Sequence, residues 1–313
     1  MKAQKELPKL DSSLRTVITL GVFDGVHLGH VHLLNTLMAE AKELGCLAGV
    51  VTFKNHPISV LNPKKLVSSI CSLEERVDLI KGLGVNFVFP ITFDAQLAKL
   101  KAKEFIMLLK EKLGMVGLVI GPDFALGHKR GGNLPTLLSL GSKLGFMVKP
   151  VDPLQTDGRK VGSATIRQAI EDGNIDEVTS LLGRRFKLTG SVVKGDSRGT
   201  GLGYPTTNLK VSSGQLVPSN GIYATWVLVG DSRYQSATSI GIRPTFGGGD
   251  RTIETFIFDF NDNLYNKEIQ IEFVKRLRDE LFFENSQLLV DQIGRDVRQA
   301  KEVLTRYDDD DVE

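Results

Sequence analysis

The sequence has little of what secreted, metal-stapled or membrane-spanning proteins need. Only two of its 313 residues are cysteines, Cys46 and Cys71, and no C-x-x-C pair is present. This count argues against a disulfide framework and against a structural zinc site. No window holds about 18 uninterrupted apolar residues, and residues 1–14 lack the apolar core of a signal peptide. We expect a soluble, cytoplasmic protein with no membrane partner.

An excess of charge of one sign is also missing. The 39 basic and 37 acidic side chains leave a formal charge of +2, so we expect no nucleic-acid partner. The contents of 41% hydrophobic and 24% charged residues are typical of globular proteins, and the length suffices for two domains. The acidic run at 308–311 is interpreted as a solvated tail. The sequence leaves open whether the protein forms a weak homo-oligomer.

Strand-like and helical patterns alternate over the first half of the chain. This alternation predicts right-handed βαβ crossovers and a parallel sheet, with ligands beyond the carboxyl ends of the strands. A helix is predicted over 98–113. The strand-like runs lie at 17–20, 48–53, 86–91, 115–120 and 146–151, and the loops at the ligand edge are 21–30, 54–57, 121–133 and 152–165.

From Phe186 the pattern changes to a period of two with turn residues between the runs, which predicts an antiparallel barrel or sandwich. A long helix over 286–306 closes the chain. Two short helices are predicted between 165 and 182, and we place the domain connection near 183–185. The predicted domains are therefore 1–184 and 185–313.

The stretch from Gly21 to His30 reads GVFDGVHLGH and lies between a predicted strand and a predicted helix. Free backbone N–H groups and the helix dipole make such a helix start an anion site. His27 and His30 lie on one face of the first turn and can donate hydrogen bonds to the same phosphate. The stretch predicts a nucleoside triphosphate site. Asp24 is equally well interpreted as a plain turn residue.

A second glycine-rich stretch, residues 195–208, reads GDSRGTGLGYPTTN. Four glycines allow the backbone to approach a phosphate closely. The Walker A spacing and a following helix are both missing, so the P-loop and Rossmann interpretations fail. A glycine-rich hairpin is the plainer alternative. Thr206 and Asn208 lie on one face if this segment is a strand.

Taken in order, these motifs resemble the bacterial bifunctional riboflavin kinase/FAD synthetases, whose first domain is an H-x-G-H nucleotidyltransferase. The resemblance covers nearly the whole chain. It rests on G-x-F-D-G-V-H-x-G-H at 21–30, Thr52-Phe53 with Pro57, 121–127 with Arg130 and Gly132, P-T-x-N at 205–208 and G-x-R-P-T-F at 241–246. It implies a Rossmann-like nucleotidyltransferase domain followed by an antiparallel six-stranded β-barrel kinase domain with a C-terminal helix.

The resemblance implies two ATP-dependent reactions. The second domain would phosphorylate riboflavin to FMN, and Glu254 would be the general base for the ribityl hydroxyl. The outward face of an alternating strand is the plainer interpretation of that carboxylate. The first domain would adenylylate FMN to FAD with release of pyrophosphate. Because the FMN phosphate is already anionic, this step needs only positioning and charge stabilisation, from His27, His30 and Mg²⁺.

The remaining site residues also follow from the resemblance. It implies ATP or phosphate contacts at Gly21, Phe23, Asp24, Gly29, Arg130, Ser163, Arg167, Gly195, Gly201 and Gly203. It implies flavin contacts at Phe53, Pro57, Asp123, Phe124, Arg243 and Arg278, the last in a flexible segment before the final helix. Oxygens of Thr206 and Asn208 are hard ligands suited to Mg²⁺. Lys129 and Arg130 could contact phosphate, but they are interpreted equally well as solvent-exposed charges of the loop.

Two positions depart from the family pattern. The block Ser-Ser-Thr-x-x-Arg reads Gly-Ser-Ala-Thr-Ile-Arg at 162–167, so Ala164 lacks a hydroxyl whose phosphate contact is worth about 1 kcal/mol. Thr165 is interpreted as a helix N-cap. Leu126 stands where an aromatic is common, which would loosen flavin stacking. These departures leave open a riboflavin kinase whose first domain is a flavin- or nucleotide-binding regulatory module. The near-neutral charge disfavours a cytidylyltransferase-like domain joined to a nucleic-acid-binding barrel.

Overall fold

The computed structural model describes residues 1–156, 158–195, 201, 203–212, 214–242 and 251–307. The chain forms two compact units, Met1–Ser163 and Ala164–Glu313. The domain bounds 1–184 and 185–313 stay predictions. Arg243, expected at the flavin site, and the acidic run at 308–311 lie outside the described residues. Within the described ranges, no helix is long and apolar enough to cross a membrane.

The first unit is built on a parallel sheet of five strands in the order β3-β2-β1-β4-β5. Its strands are β1 (Thr16–Gly21), β2 (Leu47–Phe53), β3 (Phe87–Ile91), β4 (Met115–Ile120) and β5 (Met147–Pro150), and its helices are α1 (Lys2–Glu6), α2 (Leu28–Glu43), α3 (Pro57–Leu61), α4 (Leu73–Gly82), α5 (Ala102–Leu113) and α6 (Leu134–Leu144). A small hairpin, β6 (Gln155–Thr156) with β7 (Arg159–Lys160), follows. This architecture confirms the Rossmann-like fold class.

Both faces of the central strand β1 are buried, as expected for a parallel strand with helices on both sides of the sheet. Residues 16–20 of β1 are all buried. Ile18 joins the apolar cluster that includes α5, whereas Val17 joins the cluster that includes α2. The predicted helix at 98–113 begins only at Ala102, because Leu97–Lys99 form a separate 3₁₀ turn.

The second unit is organised around a closed antiparallel barrel, in which the strands run in the order β10-β11-β12-β9-β8-β13. The strands are β8 (Phe186–Val193), β9 (Thr207–Val211), β10 (Gly221–Val229), β11 (Ser232–Ile242), β12 (Arg251–Ile257) and β13 (Glu268–Arg278), and the helices are α7 (Ser163–Asp172), α8 (Ile175–Leu182) and α9 (Ser286–Arg306). The six-stranded barrel with its C-terminal helix is thus confirmed. Thr165 lies inside α7, so its interpretation as an N-cap is wrong.

Alternation along the strands separates the barrel interior from the face that α9 covers. Ala224 and Trp226 of β10 and Phe258, just after β12, pack with Ala300 and Leu304 of α9 in one apolar cluster. Side chains of the opposite parity point inward. Glu254 shares the parity of Phe256, which packs against this cluster, so it faces the α9 side of the barrel.

Candidate active sites

A cavity of about 310 Å³ opens at the carboxyl ends of β1 and β4, beside the start of α2. Its lining includes many of the residues expected to bind ATP or flavin. These are Gly21, Phe23, His27, Gly29, His30, Asp123, Phe124 and Ser163. Lys160, which was not among the expected residues, also lines the cavity. The loops at this edge of the sheet therefore converge on one space, as the strand order requires.

The two histidines are fixed against each other at the first turn of α2. His27 is the N-cap residue, and its Nδ1 accepts a hydrogen bond from the backbone N–H of His30 at 3.3 Å. The two imidazole rings stack with centroids 3.6 Å apart, and the Phe23 and His30 rings form a T-shaped pair with centroids 5.1 Å apart. Because Nδ1 of His27 is an acceptor, the proton of the neutral ring resides on Nε2. The pair stands where the helix dipole favours an anion.

The turn before α2 has an unusual backbone. Phe23, Gly25 and Val26 have φ values of 53°, 78° and 37°. Such values are costly for residues with a Cβ and persist only when the surroundings enforce them. Ser163 contributes one restraint, because its Oγ donates to the carbonyl oxygen of Asp24 at 3.1 Å.

The carboxylate of Asp24 supplies further restraints from below the turn. It accepts hydrogen bonds from the backbone N–H groups of Ile70 at 3.0 Å and Cys71 at 3.5 Å. Its side chain is only 3% exposed, and Arg76 of α4 forms an ion pair with it at 3.9 Å. Arg76 also donates to the carbonyl oxygen of Phe53 at 3.0 Å. Asp24 does not line the cavity, so its side chain supports the turn from behind.

Cys71 completes this support. Its Sγ accepts a hydrogen bond from the backbone N–H of Gly25 at 3.3 Å. Burial, and then the nearby charges of Glu75 and Asp24, raise the pKa of the Cys71 thiol to about 11. A thiol with this pKa is a packing group and a weak hydrogen-bond acceptor at neutral pH.

Four other residues singled out in the sequence lie away from this lining. Phe53 is buried and packs edge-on against Phe93, and Pro57 is the first residue of α3. Arg130 donates to the carbonyl oxygen of Asp123 at 2.8 Å. Leu126 is buried in the apolar core, so its side chain fills the core rather than the cavity.

Arg167 and Ala164 both belong to α7, at the start of the second unit. Ala164 is exposed and Arg167 half-buried. In the first unit, an ion pair that the sequence did not indicate joins Lys160 of the β6–β7 hairpin to Asp123. Both partners line the cavity.

In the second unit, a cavity of about 320 Å³ lies between the barrel and α9. Its walls are mainly apolar, and they include three polar side chains expected at the kinase site. The lining includes Tyr204, Thr206, Ile222, Glu254, Phe256, Arg278, Phe283, Leu289, Ile293 and Asp296. The carboxylate of Glu254 therefore faces a cavity, and not open solvent as the plainer interpretation implied.

Thr206, Asn208 and Glu254 come together at the edge of this cavity. The Thr206 hydroxyl donates to Oε2 of Glu254 at 3.4 Å. Asn208 of β9 lies directly opposite Glu254 of β12 in the strand register. Gly195 packs so closely that a Cβ there would overlap the side-chain amide of Asn208. The P-T-x-N motif and the distant carboxylate are thus brought into one group.

Arg278 anchors α9 to the barrel. It is the last residue of β13, so its expected place in a flexible segment is wrong. Its Nε and Nη2 donate to both carboxylate oxygens of Asp296 at 2.9 and 2.5 Å, a bidentate ion pair in which Asp296 is buried. Gln292 donates to the same carboxylate at 2.8 Å. The pair forms part of the cavity wall.

A further cavity of about 310 Å³ lies on the other side of the P-T-x-N segment. Pro205, Thr206 and Thr207 line it, with Phe260 and Asp262 from the loop after β12. Thr206 therefore lines both this cavity and the one beneath α9. Gly201 and Gly203 are exposed and line neither.

Comparison with known proteins covers both units. A family model described as FAD synthetase matches residues 10–165, and one described as riboflavin kinase matches residues 182–304. A bifunctional riboflavin kinase/FMN adenylyltransferase of Bacillus subtilis (strain 168) is 34% identical over 93% of both chains. The chain belongs to this bifunctional family. The family member of Escherichia coli (strain K12) is also 34% identical, over 91% of this chain and 92% of its own length.

A solved structure extends the likeness to three dimensions. The crystal structure of a protein named macrolide-efflux protein, from Streptococcus pneumoniae, matches with a TM-score of 0.87 and 31% sequence identity. The match covers 96% of this chain and 97% of that one. The fold is therefore shared along almost the whole chain. Membership of the bifunctional family confirms the resemblance inferred from the motifs and identifies the protein as an enzyme.

Proposed function

We propose that the second unit phosphorylates riboflavin with ATP to give FMN, and that the first unit adenylylates FMN with a second ATP to give FAD and pyrophosphate. Family membership supports both activities. The observation that carries the kinase assignment is the contact of Thr206, which lines two cavities, with Glu254, which lies opposite Asn208 in the strand register. The stacked rings of His27 and His30 at the start of α2 carry the assignment of the adenylyltransferase activity.

In the kinase reaction, the largely apolar cavity under α9 binds the flavin ring system, with Arg278 in its wall. ATP occupies the cavity beyond Thr206, and the glycines at 195, 201 and 203 belong to the phosphate-binding segment. Glu254 accepts the proton of the ribityl hydroxyl as the oxygen of this hydroxyl attacks the γ-phosphate of ATP. The new P–O bond forms as the bond to the leaving ADP breaks. Thr206, at the boundary, lies where the two substrates meet.

The side-chain oxygens of Thr206 and Asn208 would hold Mg²⁺ at this site. Hydroxyl and amide oxygens beside a carboxylate are the hard donors that this ion prefers, so the residues present fit it. When bound, Mg²⁺ neutralises charge on the phosphates of ATP. The protein's own share is orientation, because Glu254 and Asn208 are opposed across two paired strands.

In the adenylyl transfer, an oxygen of the FMN phosphate attacks the α-phosphate of ATP and pyrophosphate leaves. His27, His30 and the N–H groups at the start of α2 stabilise the charge that develops. Gly29 leaves the space beside the His27 ring free of a side chain. A Cβ at this position would lie only 3.2 Å from the His27 ring and from the carbonyl oxygen of Val161. Gly21, Phe23 and Ser163 line the ATP side, and Asp123 and Phe124 the flavin side. Asp24 acts by holding the turn.

Arg130, Arg167, Phe53 and Pro57 stay proposals from the family pattern alone. The second candidate function is a riboflavin kinase whose first unit binds flavin or nucleotide without catalysis. The exposed methyl of Ala164, in place of a hydroxyl, is the observation that favours it. A cytoplasmic location and a weak homo-oligomer also stay predictions.

One assay tests the assignment. Purified protein is incubated with riboflavin, ATP and Mg²⁺, and FMN, FAD, ADP and pyrophosphate are resolved. FAD formation supports the two-activity proposal, FMN without FAD supports the second candidate, and the absence of any flavin product refutes both.

Glu254→Gln then tests the division of labour. We expect FMN formation to fall at least about a hundredfold, as is typical for removal of a general base, while adenylylation of supplied FMN is retained. Glu268→Gln, at an exposed position that begins β13, is the matched control and should leave both activities unchanged. A parallel loss of both activities in Glu254→Gln would show that the two sites are wrongly assigned.

A further inference from the structure

The contact between β9 and β12 is the shortest pairing among the described strands of the barrel. It consists of two residue pairs, Asn208 with Glu254 and Thr207 with Thr255, whereas nine pairs join β10 to β11. This short contact carries both the proposed base and a proposed metal ligand. Because side chains alternate along a strand, a slip of one residue would turn Glu254 to the other face of β12. Its register must therefore be held by something besides backbone pairing.

Thr207 provides such a hold. Its hydroxyl donates to the carbonyl oxygen of Thr255 at 3.0 Å. The Thr255 hydroxyl lies 3.0 Å from that of Thr238, which lies 2.7 Å from that of Thr225, and Thr225 lies 2.8 Å from the hydroxyl of Ser236. The last four side chains are at most 1% exposed. A continuous line of hydroxyls thus crosses β12, β11 and β10 inside the barrel, and Thr207 joins β9 to the backbone of Thr255, the β12 residue of this line.

Buried hydrogen bonds of this kind specify one arrangement, because no water replaces a lost partner. Thr207 and Thr255 are paired, so their side chains share a face, and their neighbours Asn208 and Glu254 share the opposite one. The hydroxyl of Thr207 is therefore directed away from Glu254. Thr207 also lines the cavity assigned to ATP, and a contact with ATP there would affect the KM for ATP. An effect on kcat alone must instead come from fixing the strands that carry the reacting groups.

We propose that Thr207 is a positioning residue for riboflavin phosphorylation. The proposal rests on the kinase function proposed above. The Thr207 hydroxyl holds β9 in register with β12, so that Glu254 faces Asn208 and Thr206. Proton abstraction is sensitive to such placement, and an error of about 1 Å can reduce the rate on the order of a hundredfold.

Thr207→Val tests this directly, because valine keeps the shape and removes the hydrogen-bond donor. We expect kcat for FMN formation to fall about tenfold, with the KM values for riboflavin and ATP changed less than about twofold. Adenylylation of supplied FMN should be unchanged. Thr207→Ser, which restores the hydroxyl, should recover kcat to within about twofold of the wild type.

The matched control is Thr225→Val, which removes a hydroxyl from the same buried line at the nine-pair contact between β10 and β11. It should lower Tm while leaving kcat of the folded protein unchanged. Rates are measured at a temperature where circular dichroism shows every variant folded. Wild-type kcat in Thr207→Val, or no recovery in Thr207→Ser, overturns the positioning role alone. A wild-type protein that forms no FMN overturns the kinase proposal and this one together.

Discussion

Replacing Arg76 with methionine tests whether its ion pair with Asp24 holds the turn before α2, which carries His27 and is called the histidine turn below. Arg76 and Asp24 form an ion pair whose side chains are only 5% and 3% exposed, and Arg76 also donates to the carbonyl oxygen of Phe53. Methionine keeps the length and the apolar stem but removes the charge and the donors. The Asp24 carboxylate would then be left buried without its cation.

The expected cost follows from these contacts. Removing one partner of a buried pair destabilises a protein by about 3–5 kcal/mol. The N–O distance of 3.9 Å is long, and Asp24 keeps the N–H groups of Ile70 and Cys71, so we take the lower end. A loss of about 3 kcal/mol lowers Tm by about 6–12 °C for a unit of this size, which spans Met1–Ser163.

Differential scanning calorimetry measures the shift, and adenylylation of supplied FMN measures whether the turn still holds the histidines. Lys149→Met is the control, because the Lys149 side chain is 48% exposed and solvent weakens its ion pair with the half-buried Glu40. Losing this pair should therefore lower Tm much less than the loss of Arg76 does. Asp24→Asn combined with Arg76→Met should be more stable than Arg76→Met alone, because the uncompensated charge is gone. Wild-type melting of Arg76→Met, or strictly additive effects in the double variant, would refute the reasoning.

Two further predictions concern the first unit. His30→Ala should lower FAD formation from FMN by about a hundredfold while sparing the kinase, and an unchanged FAD yield would remove the histidine turn from the reaction. Because burial raises the pKa of Cys71 to about 11 from the usual 9.0, its contribution to stability is complete below pH 9 and is lost as the pH rises through 11. Denaturant titrations should therefore show that, between pH 9 and 11, the free energy of unfolding of the wild type falls relative to that of Cys71→Ala by up to about 3 kcal/mol. A constant difference between the two proteins would contradict the raised pKa.

Much of the fold could be predicted because its signals are local. Continuous apolar runs and a period of two marked most strands, and the helix at 286–306 was predicted with its observed bounds. β9 was not marked as a separate run, because only Leu209 and Val211 are apolar in it and a glycine-rich segment precedes it. The five-residue helices α1 and α3 are too short to show a helical period.

The candidate sites divide in the same way. His27, His30 and the P-T-x-N segment can be predicted as site candidates from the sequence because each motif is contiguous. Arg76 was missed because its link to Asp24 spans 52 residues and depends on how α4 packs beneath the turn. The role proposed for Thr207 depends on the register of β9 against β12, which exists only once the barrel closes.

The shared wall at Thr206 has a consequence for inhibitor design. Thr206 lines the two cavities to which flavin and ATP are assigned above. If that assignment holds, a compound that joins a flavin-like ring to a nucleoside through a short polar linker would occupy both at once. Tethering makes the second binding event intramolecular, so the linked compound gains affinity that neither half has alone. A bulkier residue at 206 would narrow both cavities, and resistance gained there would also impair the binding of the natural substrates.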